Sequence, residues 1–322
     1  MQNQNFARVQ GEKAQEPKFR WGYAVFVLLL LSLLGFIAVA IISLFAGVDV
    51  ESLSGNVALI PIDGVIVGNK DSEYLFETVT SSLDTVELIE KADKNPNIKA
   101  IILEINSPGG SAVASEEIAN AVKKTNKTTV AWIREIGTSG AYWVASSADY
   151  VIAGRISITG SIGVIASYLE FPGLLGRYNI TYQRLVSGKY KDLGSPFKEM
   201  TPEEKSIFQQ NLDVIRDYFV SEVAKNRNLA KKDVDKIANG LFYLGVQAKE
   251  LGLVDELGSK DDVIGYIEKK EGIKADVVEY KKEKTIFDVL SKVLSRQSFF
   301  VGKGIGSSLF DKETASSVRI TT

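Results

Sequence analysis

Residues 100–133 read AIILEINSPGGSAVASEEIANAVKKTNKTTVAWI, and three elements are legible in them. The β-branched run 100–105 has the composition of a buried strand. A Pro-Gly-Gly turn follows it, then a helix expected over 112–124 and a second strand over 128–133. A strand, a helix and a strand at this spacing form a crossover unit, which pairs its strands in parallel.

The same alternation extends outward. Residues 57–62 and 64–67 read as a strand broken near Asp63-Gly64, and Leu83, Val86, Leu88, Ile89 and Ala92 are spaced for one helix face ending before Asn95-Pro96. A helix is expected from about 139 to 147, ahead of a strand over 150–153. The chain is therefore assigned to the α/β class with mostly parallel pairing. In such sheets, ligands sit beyond the C-terminal ends of strands. Two turns lie at that position: Asn106-Ser107-Pro108-Gly109-Gly110 and Gly137-Thr138-Ser139-Gly140. Beyond Gly188 the pattern is mainly helical, with helices expected over 202–226, 231–238 and 246–251. The last 40 or so residues offer one amphipathic segment, 286–294, with a poorly ordered tail expected past Arg296.

Ahead of this region, the 28 positions 21–48 hold no charged residue, whereas about 20 apolar residues suffice to span a bilayer. Arg8, Lys13, Lys18 and Arg20 precede the run and Asp49 and Glu51 follow it. By the positive-inside rule this is a single-pass signal anchor with residues 1–20 cytoplasmic and the remainder on the outer side of the cell membrane. A cleaved signal peptide has a shorter apolar core. The expected organisation is a cytoplasmic segment 1–20, an anchor 21–48, a linker 49–56, a main domain 57–280 and a C-terminal helix and tail 281–322.

Composition restricts the chemistry. The 322 residues carry a net charge of −2 and include no histidine and no cysteine. Triads and dyads built on imidazole or thiol, ordinary zinc sites and disulfides are thereby excluded. The near-neutral charge gives no electrostatic reason to invoke nucleic acid. A serine nucleophile would need another base, and lysine is the usual substitute once its amine is neutral. Ser139 stands before a helix, where unpaired N–H groups favour developing negative charge; the same position suits a plain capping serine. Lys189 and Lys191 both offer an amine, and the residues alone do not choose between them.

Taken together, Asn106-Ser107-Pro108-Gly109-Gly110, Thr138-Ser139-Gly140-Ala141-Tyr142-Trp143, Thr159-Gly160-Ser161-Ile162-Gly163-Val164 and Ser187-Gly188-Lys189-Tyr190-Lys191-Asp192 resemble, in order and spacing, the signal peptide peptidase SppA family. The resemblance runs from about residue 57 to 258 and includes Gln247-Ala248 and the Gly252-Leu253-Val254-Asp255-Glu256-Leu257-Gly258 segment. It implies a ClpP/crotonase-like fold of repeated strand-helix-strand units, preceded by one transmembrane helix and followed by a mostly helical part. It also implies a membrane-anchored serine endopeptidase with a Ser-Lys dyad. By motif position, Ser139 is the nucleophile, Lys191 the general base and Ser161 the residue that orients the lysine. The N–H groups of Gly110 and Gly140 form the oxyanion hole, and no cofactor or metal is implied. Expected substrates are remnant signal peptides, and single-repeat members imply a homo-oligomer whose sites are shared between subunits. The departure is 239–245, where relatives tend to carry Asp-Gly-Arg-Val. Alternatives within the same fold are a membrane protease acting on stomatin-like partners and a crotonase-type acyl-CoA enzyme. Outside catalysis the alternative is a silent scaffold. A lysine base requires its neutral form, so activity is expected at neutral-to-alkaline pH.

Overall fold

The computed structural model describes residues 21–46, 55–69 and 78–282. Two compact units divide the chain at Ser52–Leu53. The first contains α1 (Trp21–Ala46), a helix of 26 residues without a charge. Its side chains over 25–39 are apolar apart from Ser32 and are exposed almost throughout, including Phe26, Leu29 and Phe36. Among the described residues, no helix is long and apolar enough to cross a membrane. Residues 1–20, most of the linker and the segment 286–294 lie outside the described residues.

The second unit is a mixed α/β domain. Its elements are β1 (Val57–Asp63), β2 (Val65–Val67), β3 (Val79–Ser81), α2 (Ser82–Lys94), β4 (Ala100–Ser107), α3 (Ala112–Lys124), β5 (Thr128–Thr138), α4 (Gly140–Ser146), β6 (Tyr150–Ala153) and β7 (Ile158–Gly160). There follow α5 (Pro172–Arg177), α6 (Pro202–Asn226), α7 (Lys231–Ile237), β8 (Phe242–Leu244), α8 (Gly245–Glu250), β9 (Glu256–Leu257), α9 (Lys260–Glu271) and β10 (Val277–Glu279). The main sheet runs β10-β1-β4-β5-β6-β9, with parallel pairing throughout. β7 continues from the C-terminal half of β5, pairing Thr138 with Gly160, and carries the antiparallel β8. β2 and β3 form a separate parallel pair.

The continuous apolar strands reflect burial on both faces. Ile60, Ile101, Leu103, Ala131 and Val151 pack with residues of α2, α3, α4 and α6, whereas Leu59, Ile102, Val130 and Ile152 pack with Val263 and Ile267 of α9. Alternate side chains of one strand thus serve two cores. α4 is buried along its whole length. Its Tyr142 hydroxyl donates to the Leu253 carbonyl at 2.8 Å, and its Trp143 ring stacks on Phe219 of α6 at 4.8 Å. Burial raises the Tyr142 phenol well above its ordinary pKa, so it stays a neutral donor.

The expected helices 112–124 and 202–226 coincide with α3 and α6. Thr201 and Glu204 close a capping box on α6. The region after Gly188 is not as uniformly helical as its sequence reads: β8, β9 and β10 lie there. Each has only two or three residues, too few to show a two-residue period, and each exists by pairing with a distant strand. β5 continues to Thr138, past the expected end at 133, because its second half pairs with β7 rather than β6.

Candidate active site

The two glycine turns meet at the C-terminal ends of β4 and β5. Ile66 of β2 forms an isolated parallel bridge with Gly110. In it, the Ile66 N–H donates to the Gly109 carbonyl at 2.9 Å and the Ser111 N–H to the Ile66 carbonyl at 2.8 Å. Because the flanking residues make those bonds, the Gly110 N–H faces the other way. Gly140 lies on that side: a Cβ added to it would come 3.4 Å from the Gly110 nitrogen and 2.1 Å from the Ser115 hydroxyl. A Cβ on Gly110 would meet the Ile66 carbonyl oxygen at 2.0 Å. Both positions therefore require glycine for close approach. Gly140 is also the first residue of α4, where the N–H has no intrahelical acceptor. Two backbone donors thus converge beside Ser139.

Ser139 occupies the N-cap position of α4 but does not cap it through its hydroxyl. Its side chain makes no capping bond, and its backbone sits at φ 52°, ψ −125°, a region costing about 1–3 kcal/mol for a non-glycine residue. Such a cost persists only where the surroundings over-determine the conformation. Here the Ser139 N–H donates to the Gly160 carbonyl at 2.8 Å and its own carbonyl accepts from the Trp143 N–H at 3.0 Å. Thr138 donates its hydroxyl to the Pro108 carbonyl at 3.1 Å, and Thr159 its hydroxyl to the Gly137 carbonyl at 2.8 Å. A strained, half-exposed serine between a strand and a buried helix, its hydroxyl not spent on a cap, has the backbone setting of a nucleophile elbow.

Ser161 follows Gly160, whose carbonyl holds Ser139. It too has a positive φ, 50°. Its N–H donates to the Leu241 carbonyl at 2.9 Å and its hydroxyl to the Gly240 carbonyl at 3.2 Å. The hydroxyl oxygen still has lone pairs to accept a further donor. The 239–245 segment that departs from the resembled family is therefore the strap over Ser161.

The lysines separate sharply. Lys189 is held by both Glu203 oxygens at 2.7 and 2.9 Å, and Tyr190 donates to the same carboxylate at 2.5 Å. The Glu203 bond, with the adjacent tyrosine, raises the Lys189 amine far above its ordinary pKa and fixes it as an ammonium. Lys191 is exposed, and among the described residues its amine bonds neither Ser139 nor Ser161. It sits in the turn 188–193, where the Lys191 N–H donates to the Gly188 carbonyl at 3.2 Å.

Ser139, Gly110, Gly140 and Ser161 are thus brought into one neighbourhood, and Lys191 stands apart in a segment rich in exposed apolar side chains. Leu185 is 95% exposed, and Ile165, Leu169, Tyr178 and Ile180 are also exposed. The supports that sequence reasoning missed are Ile66, Ser115 and the Gly160 carbonyl. None has a local signature, since each acts through a contact with a distant segment.

Comparison with known proteins gives a consistent picture. The model of peptidase family S49 matches residues 121–274. A candidate protease of Methanocaldococcus jannaschii is 36% identical over 233 residues, covering 71% of this chain and 74% of the relative. A candidate signal peptide peptidase SppA of Enterococcus faecium is 33% identical over 230 residues, covering 70% and 67%. The chloroplastic serine protease SPPA of Arabidopsis thaliana is 28% identical over 216 residues, covering 65% of this chain and 32% of that protein.

Proposed function

The chain belongs to peptidase family S49, and from that premise we propose that it is a serine endopeptidase in which Ser139 attacks the peptide carbonyl and Lys191 is the general base. The observation that carries this reading is the strained, uncapped backbone of Ser139 beside the converging N–H groups of Gly110 and Gly140. Neutral Lys191 takes the Ser139 proton during attack, and the two glycine N–H groups receive the developing oxyanion. The protonated amine then passes its proton to the departing amine, leaving an acyl-enzyme that water hydrolyses. Ser161, whose oxygen can accept, aligns the lysine amine. Each oxyanion donor is worth about 3 kcal/mol in such sites. The engagement of Lys189 by Glu203 supports Lys191 as the base.

Lys191 comes from a second copy of the chain, and the working enzyme is a homo-oligomer. The exposed apolar side chains around the lysine segment support this, because a surface of that kind is stable in water only when covered. The units that carry the site follow a ClpP/crotonase-like arrangement. Residues 21–48 anchor the protein in the cell membrane, with residues 1–20 cytoplasmic and the catalytic domain outside. The uncharged run exceeds the about 20 residues a bilayer needs and extends past the described side chains at both ends. Remnant signal peptides are the proposed substrates. An anchor that precedes the catalytic domain in the sequence supports that class, as does the name of the E. faecium relative.

The test compares full-length wild type with Ser139→Ala and Lys191→Ala on a fluorogenic peptide carrying a signal-peptide apolar core. Each substitution is expected to lower kcat by at least about 10³-fold. Turnover unchanged in both would remove the dyad.

A further inference from the structure

Four basic side chains share the segment between α5 and α6, Arg184, Lys189, Lys191 and Lys198, and all but Lys191 are already engaged. Lys189 is bound by Glu203. Arg184 forms a two-pronged pair with Asp192, Nε to one oxygen at 2.6 Å and Nη2 to the other at 2.8 Å, and Nη2 also donates to the Lys189 carbonyl at 3.3 Å. The Asp192 side chain is only 10% exposed under this fork. Arg184 holds that carboxylate well below its ordinary pKa, so it is a full negative charge. Asp192 is the immediate chain neighbour of Lys191.

A carboxylate so placed is a hazard to a lysine that must act as a base. A free Asp192 would pair with the Lys191 ammonium, stabilise its proton and draw the amine out of line. The other charges nearby cannot relieve this. Lys198 acts on Asp192 only through its field and is committed to Glu204 at 2.6 Å, while Glu204 and Tyr182 add their fields at Arg184. Arg184, with its planar fork and permanent charge, is suited to hold the carboxylate. We propose that Arg184 is a positioning residue that withholds the Asp192 carboxylate from the Lys191 amine, leaving that amine free to serve as base. The inference rests on reading Lys191 as the base.

The experiment is the pH profile of kcat/KM for the full-length protein in detergent, with the same fluorogenic peptide. Arg184→Gln is expected to move the rising limb alkaline by about one unit, with the high-pH plateau within about threefold of wild type. Adding Asp192→Asn to it should return the limb to the wild-type position. Asp192→Asn alone, which leaves an unpaired guanidinium near the lysine, should move it slightly acid and carries the test if Arg184→Gln does not fold. A plateau that falls in Arg184→Gln without any movement of the limb would overturn the proposal, reducing the pair to a structural clamp. So would a limb unmoved by Asp192→Asn. Lys191→Ala keeps the two questions apart: full activity with an unaltered limb removes Lys191 as base, whereas loss of activity leaves the reading standing and the Arg184 result to be judged alone.

Discussion

The region that holds Ser139 and the region that holds Lys191 are built on opposite principles. Around Ser139, strands packed on both faces and a fully buried helix fix the backbone, and the residue's N–H and carbonyl are both engaged. Between 164 and 201, Met200 is the single residue buried, α5 buries none, and the segment is held by the Arg184–Asp192 pair and by ion pairs from Lys189 and Lys198 to α6. The core of one chain can carry backbone strain at a nucleophile because the neighbouring contacts over-determine it. Exposed ion pairs are worth about 0–1 kcal/mol each, so on the proposed reading the lysine segment gains its order when a second copy covers it. On the same proposed reading, the nucleophile is prepared by the fold of one chain and the base is delivered by assembly.

That contrast can be broken by experiment. The largest effect is expected from mixing: Ser139→Ala and Lys191→Ala subunits, each inactive alone, should regain turnover far above either parent once co-assembled. Absence of recovery in verified mixed oligomers would place both residues of each site in one chain. A smaller effect is expected from Gly140→Ala. The new methyl would lie 2.1 Å from the Ser115 hydroxyl, displacing an oxyanion donor and lowering kcat about 10²-fold, with partial recovery on adding Ser115→Ala. Equal activity of Gly140→Ala and wild type would exclude this N–H from the oxyanion site. The smallest effects compare an ion pair from each region by urea unfolding. Arg227, nearly buried, meets Asp255 at 2.6 and 2.9 Å; Arg227→Leu should cost about 2–3 kcal/mol by stranding a partly buried carboxylate. Lys189→Ala should cost less than about 1 kcal/mol, since its partner is in water. Similar losses at the two sites would mean the lysine segment is packed as tightly as the core.

Much of this was legible in the residues. The run 100–133 announced a parallel crossover, α3 and α6 lie over the residues expected for them, α6 with its acidic start and basic finish, and the order of motifs pointed to the family. The short strands β8, β9 and β10 were not legible, because two or three residues carry no usable period and their partners lie far off in the chain. Nor could position alone tell a capping serine from a nucleophile.

Absence of histidine and cysteine is a property of composition, and it excluded imidazole and thiol bases without reference to shape, leaving lysine as the usual substitute. Periodicity is a property of neighbours along the chain, and it set the fold class. The positive φ of Ser139, the approach of Gly110 to Gly140 and the capture of Lys189 by Glu203 belonged to the tertiary structure alone. Each is an interaction between segments that meet only when the sheet is assembled and α6 is in place, and no local pattern of residues encodes such a meeting.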